Sequence, residues 1–164
     1  MALGSNWGAS EQERSRRLPC DALLPAAPVR LDRAIDVRAP VGVVFRWLCQ
    51  LKVAPYSYDL LDNLARRSPR ELTAGAERLE PGQRFMIFRL DSFAPDEHIT
   101  LKSRRTAITY HVGSSATGTR LHARVLYRPP LGHAGWPLGA ALALGDLVMM
   151  RKQLLTFKAL AESS

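Results

Sequence analysis

Cysteine is scarce in this chain: Cys20 and Cys49 are the two among 164 residues. They form no CxxC pair, so a cysteine-built zinc site and a dithiol redox motif are both excluded. In a reducing cytosol they stay free thiols. Long apolar runs are missing as well. The greasiest stretch, residues 138–150, carries Asp146 and falls short of the ~20 residues a bilayer span needs. No membrane span is expected. Ser15-Arg16-Arg17-Leu18-Pro19 has a twin-arginine outline, but Asp21 and Pro25 stand where an apolar leader segment would follow. The expected location is cytoplasmic. No HExxH, GxGxxG, Ser/His/Asp or Cys/His set can be assembled, and no metal or cofactor is expected.

Acidic residues are the scarce charge. Aspartate and glutamate number 15 against 23 lysines and arginines, a formal net charge of +8. Such an excess invites a nucleic-acid reading, because neutralised phosphates release counterions. The arginines, however, come as separate pairs (Arg16-Arg17, Arg66-Arg67, Arg104-Arg105), with no RNP, zinc-finger or helix-turn-helix pattern beside them. The expectation is a solvated basic surface without nucleic acid.

What is present is apolar patterning. Apolar residues make up 46% of the chain, and a chain of this size buries roughly 70% of its unfolded surface on folding. One core needs no staple. Residues 1–28 are polar and then Ala/Pro-rich, and they read as a partly flexible tail that at most packs against a single domain over 29–162. Val29, Leu31, Arg33, Ile35 and Val37 alternate with polar neighbours as a strand does. Ala39-Pro40 stops that strand and opens a helix, in which Val41, Val44, Phe45, Leu48 and Leu51 form one stripe.

A second short helix is predicted from Tyr56 to about Ala65, and a short strand near 66–72. Strand-like runs follow at 84–92, 97–103, 106–112 and 119–127, with a hairpin loop over 113–118. Pro137 then opens a helix to about residue 162. Strands grouped together with helices at the ends argue for an α+β fold. An antiparallel meander with a polar outer side needs cover on its inner side, and the C-terminal helix alone is long enough to supply it.

The chain resembles the START-like (SRPBCC) superfamily of polyketide cyclases, dehydrases and lipid-transport proteins. The resemblance rests on Ile35-Asp36-Val37-Arg38-Ala39-Pro40 leading into Val44-Phe45-Arg46-Trp47-Leu48, on Pro55-Tyr56-Ser57-Tyr58-Asp59 with Asp62-Asn63, and on residues 146–154. It implies a helix-grip fold: a curved antiparallel sheet wrapped around the long C-terminal helix, with two short helices after the first strand. It also implies a ligand cavity between sheet and helix.

Several residues stand out within that frame. Asp62 and Arg66 are spaced as a local helix pair. Asp59 has no counter-charge on its own helix; it either caps the helix dipole or points into the domain. Asp146 sits in the greasiest part of the last helix, and Arg33 is the charge on the apolar face of the first strand. Charges buried singly are costly and paired ones tolerable, so Arg33 is expected within reach of Asp59 or Asp146 unless each reaches water at an edge. Alternation puts Met86, Phe88, Leu90, Tyr110, Leu121, Val125 and Tyr127 on the inner face. It sends His98, His111 and His122 to the other face, where they read as surface histidines, and His133 falls in a loop.

The expected ligand lining is therefore Tyr58, Asp59, Phe88, Tyr110, Leu121, Val125, Tyr127, Leu142, Asp146 and Met149, with tyrosines as polar anchors. Two functions follow. One is a protein that binds a hydrophobic small molecule, polyketide-like, lipid or similar. The other is a cyclase or dehydratase using the same cavity, with Tyr58 and Asp59 as candidate catalytic groups. A homodimer is compatible with either.

Overall fold

The computed structural model describes residues 5–56, 68–129 and 136–164, with the side chains of the last helix described from Val148 onward. Strand β1 (Asn6–Trp7) and helices α1 (Glu11–Ser15) and α2 (Pro19–Leu23) precede β2 (Val29–Val37). Helix α3 (Val41–Cys49) and a 3-10 turn (Gln50–Lys52) follow β2. Then come β3 (Arg84–Phe85), β4 (Phe88–Ala94), β5 (His98–Lys102), β6 (Thr106–Ser115), β7 (Gly118–Tyr127) and helix α4 (Trp136–Glu162). The second short helix expected after Pro55 lies outside the described residues, and 68–72 contain no strand.

The strands form one sheet in the order β1-β2-β7-β6-β5-β4-β3, antiparallel except for the parallel β1–β2 pair. The fold is the expected α+β helix grip. Strand β2 pairs with β7 along its whole length, from Val29↔Tyr127 to Val37↔Thr119. Gly118 starts β7 with φ +140°, and a Cβ there would stand 2.4 Å from the Val37 carbonyl oxygen. That close approach explains glycine at this position. Met150, Gln153, Leu154, Phe157 and Ala161 of α4 are buried at helical spacing. They meet Leu31, Ile35, Ile99, Ile108, Leu121 and Val125 in one core, with Val44, Phe45, Trp47 and Leu48 of α3 closing its side.

Two loops depart from expectation. The run 84–92 is a hairpin, not one strand: Phe85 pairs with Phe88 across Met86 and Ile87. Met86 adopts φ +55° and Ile87 is 80% exposed. The turn resets the alternation, so Phe85 and Leu90 are buried while Met86 is not an inner-face residue. The 113–118 loop tightens to Ala116-Thr117, because β6 and β7 pair out to Ser115↔Gly118.

Residues 6–7 extend the sheet at its edge, and residues 18–27 pack on the outer face. Asn6 and Trp7 pair with Asp32 and Arg33, and Leu18, Cys20 and Leu24 pack on Ala107 and Leu126. Beneath them lies Arg124, fully buried. Its Nε donates to Asp32 Oδ1 (2.8 Å), Nη1 to Asp21 Oδ2 and the Arg16 carbonyl (both 2.7 Å), and Nη2 to the Glu13 and Arg14 carbonyls (2.9 and 3.0 Å). A guanidinium has five N–H donors, and each has an acceptor here. A buried charge is tolerable on those terms.

Asp32 also accepts from His122 Nε2 at 2.9 Å and from Arg30 Nε at 3.1 Å. Burial alone would push its carboxyl up, but the hydrogen bonds from His122 and Arg124 outweigh burial and hold it at about 2. His122 is thus a buried histidine and not the expected surface one. Alternation gave its face correctly, but the N-terminal layer covers that face. Among the described residues no helix is long and apolar enough to cross a membrane.

Replacing Arg124 by alanine would take from Asp32 and Asp21 the buried counter-charge they share, leaving Asp32 with His122 and Arg30 and Asp21 with the Leu18 amide. Stability should fall by about 3–5 kcal/mol. Urea unfolding reads the loss, and limited trypsin digestion should cut first at Arg14, Arg16 or Arg17. Acid should act in the same place. Hydrogen bonding from Arg120 holds the Glu13 carboxyl at about 2, as the network does for Asp32. These lowered carboxylates contribute stability that is present above about pH 4 and lost as pH falls toward about pH 2. Burial, then Arg16 and His122, push the His111 imidazole down. The folded chain therefore takes up that proton less readily than the unfolded chain, and stability falls as pH drops below the usual histidine range. Trypsin sensitivity of residues 11–23 should rise on acidification before the sheet loses its circular dichroism.

Candidate functional site

The register puts Arg33, Ala123, Tyr110 and Ile99 in one row across β2, β7, β6 and β5. Strands lie about 4.8 Å apart, so the Arg33 and Tyr110 backbones stand about 10 Å apart with only a methyl group between them. All four residues are buried. The row thus carries a guanidinium-bearing residue and a phenol on either side of a small residue, on the face that α4 covers.

Tyr110 donates through its hydroxyl to Gln153 Oε1 at 2.7 Å, and its oxygen lies 3.9 Å from Met150 Sδ. Gln153 Nε2 donates in turn to the Pro55 carbonyl. One amide side chain therefore ties the centre of the sheet, the C-terminal helix and the loop that opens the Tyr/Asp-rich segment. Tyr56 continues that wall. It is buried with φ +55°, its ring edge-on to Trp47 (centroids 6.2 Å apart) and 5.3 Å from Phe157. A phenol or amide in such surroundings needs a partner, because an unsatisfied buried polar group costs about 1–3 kcal/mol.

Leu121 and Val125 are buried on the inner face beside Ile35 and Val112, and Leu31 and Ile108, respectively. Phe88 and Tyr127 are half-buried, Phe88 packed on the core and Tyr127 at the end of β7 opposite Val29 and Thr106. Met149 is 39% exposed, one position off the helix stripe that faces the sheet. Leu142 and Asp146 lie on α4 where side chains are not described, and Tyr58, Asp59, Asp62 and Arg66 lie outside the described residues. Arg33 is fully buried, and its Nη1 donates to the Ser5 and Asp32 carbonyls, both at 3.0 Å.

Gln153, Met150 and Tyr56 were not singled out from sequence. The signal for the first two was available: Met150, Gln153, Leu154 and Phe157 follow the i, i+3, i+4, i+7 stripe, but a polar glutamine hides it. The three described histidines do not join the inner face, and His133 lies outside the described residues. His98, His111 and His122 stand side by side across β5, β6 and β7 on the outer face, where Arg16 Nη1 lies 3.2 Å from His111 Nε2. Burial pushes the Cys20 and Cys49 thiols up to about 11 and about 12, which removes the thiolate a nucleophile requires. Among the described residues no group of three or more His, Cys, Asp or Glu is placed to hold a metal ion.

No protein-family profile matches the chain, and no curated protein is similar to it in sequence. Solved structures share the fold. A Rhodobacter sphaeroides protein at 14% identity superposes with a TM-score of 0.53, covering 82% of this chain and 93% of that one. A Nitrosomonas europaea protein at 12% identity gives 0.51, covering 82% and 94%. A polyketide-cyclase-like protein from Corynebacterium glutamicum at 15% identity gives 0.47, covering 82% and 91%. At these identities the likeness speaks for the fold alone.

Tyr110→Phe leaves the Gln153 amide oxygen buried without its donor, so it should destabilise the chain by about 1–3 kcal/mol. Gln153→Leu on the Tyr110→Phe background should recover part of that loss. A double-mutant cycle from urea unfolding measures the coupling; strict additivity would show that the bond contributes nothing.

Proposed function

We propose that this chain binds a hydrophobic small molecule, polyketide-like, lipid or of similar character, between the inner face of the sheet and the C-terminal helix. The observation that carries the reading is the Tyr110–Gln153 pair, a hydrogen-bonded polar anchor set among apolar side chains where sheet and helix meet. Sites of this kind are mostly apolar with a few polar groups that fix orientation. In this reading Phe88, Leu121, Val125 and Tyr127 supply sheet wall, Leu142 helix wall, and Met149 the rim. Tyr58 and Asp59 close one end, and Arg33 is held in an ion pair with Asp59 or Asp146.

Retention is favoured over turnover by how the proton carriers are distributed. The strand histidines occupy the opposite face, and general acid–base chemistry needs a titratable group within about 3 Å of the reacting atom. The alternative is a cyclase or dehydratase in which Tyr58 and Asp59 move the proton.

Thermal-shift screening with a panel of apolar aromatic and acyl ligands, run beside turnover assays on poly-β-keto mimics, separates the two. Saturable stabilisation without turnover is expected, with weaker stabilisation in Tyr110→Phe. Turnover that disappears in Asp59→Asn or Tyr58→Phe while folding is intact would replace the binder with the enzyme.

A further inference from the structure

At the β3 edge of the sheet the register sets Arg84 opposite Arg89 and Arg89 opposite Lys102. Three cations thus occupy one row across three strands, all of them exposed. Like charges directly opposite one another are destabilising. The compensation visible is small: Asp91 pairs with Lys102 at 2.6 Å, and among the described residues no carboxylate lies within ion-pair distance of Arg84 or Arg89. Their hydrogen bonds go instead to backbone, Arg84 Nε to the Met86 carbonyl (3.0 Å) and Arg89 Nη1 to the Gly82 carbonyl (3.1 Å). The first bond holds the Arg84 guanidinium at the β3–β4 turn, and the second draws the Arg89 guanidinium along the hairpin toward Gly82. The β5–β6 turn at the same end of the sheet adds Arg104 and Arg105.

At the tip of the hairpin beyond this row stands Ile87, 80% exposed. Two-residue hairpin turns favour Asn, Asp and Gly. Here the turn is Met86-Ile87, with Met86 at φ +55°, so folding gains nothing from the choice. An aliphatic side chain exposed at the same end of the sheet as several arginines suits a partner that is anionic and also takes up apolar groups.

We propose that this end of the sheet docks on an anionic lipid surface. Ile87 enters the interface, while Arg84, Arg89, Arg104 and Arg105 meet headgroup phosphates. Arginine suits that task because its planar fork binds phosphate oxygens in pairs. Clustered basic residues are drawn to anionic leaflets, and apolar side chains are buried at the headgroup boundary. Nucleic acid fits less well. Single strands are held by aromatic stacking beside a cationic groove, whereas Phe85 is buried and Phe88 half-buried here. With one aliphatic anchor, the contact is reversible and weakens with salt. This inference does not depend on the ligand reading above.

The full chain should co-sediment with vesicles of phosphatidylcholine containing about one third phosphatidylserine and not with phosphatidylcholine alone, and added salt should release it. Arg84→Glu with Arg89→Glu should weaken binding by at least about tenfold. Ile87→Ala should weaken it by a smaller factor, and tryptophan placed by Ile87→Trp should shift its emission to the blue on anionic vesicles. Circular dichroism checks that these exposed substitutions leave the fold unchanged, with Arg84→Gln and Arg89→Gln as the milder pair. Binding indifferent to lipid charge, or anionic binding unchanged in all these variants, would overturn the proposal. So would tighter binding to duplex DNA than to anionic vesicles, unaffected by Ile87→Ala.

Discussion

The guanidinium of Arg124 is the contact on which the outer half of the molecule depends. It is wholly removed from water, yet each of its donors is filled, two by the carboxylates of Asp32 and Asp21 and three by carbonyls of residues 13, 14 and 16. Two of its partners are therefore carbonyls in the last turn of a five-residue helix and a third is the carbonyl of its C-cap, Arg16, groups that would otherwise lack intrahelical donors. A helix as short as α1 is not stable alone. It exists here because a strand far away in sequence caps it. The apolar contacts of Leu18, Cys20 and Leu24 complete the attachment, so residues 5–28 behave as a layer of the fold.

The two faces of the sheet consequently do different work. The inner face is apolar and interrupted by a row holding Arg33 and Tyr110, with Gln153 reaching down from the helix. The outer face concentrates the titratable groups, Asp32, His122, His111 and Arg124, under the N-terminal layer. The described histidines are thereby kept off the side on which an apolar ligand is proposed to sit, where Arg33 is the buried charge among the described residues, and His122 and Asp32 serve attachment.

Much of this was legible in the sequence because period-2 alternation is rigid. Leu31, Ile35, Leu121, Val125, Ile108 and Tyr110 fall on the inner face as alternation requires, and His98, His111 and His122 fall on the other. Exposure was harder to read. Alternation assigns His122 a face, but it does not say that another segment covers that face, and residues 11–23 carry no periodicity to announce it. The hairpin at Met86-Ile87 escaped because neither residue is a turn former. On the last helix Met149 stands one position off the buried stripe, which is hard to phase because it contains a glutamine whose partner, Tyr110, is 43 positions away.

The pairing of β2 with β7 sets the order in which the chain can assemble. The strand that opens the sheet has no antiparallel neighbour until Gly118–Tyr127 has been made, and Arg124, which holds α1 in place, lies within that same stretch. During synthesis the first third of the polypeptide therefore waits with an open strand edge and an undocked leading segment. Pairings this distant in sequence make folding slow, and exposed edges invite association between chains. Until its seventh strand is made, such a chain carries an unpaired edge and uncovered apolar surface, the features that make folding intermediates prone to aggregate.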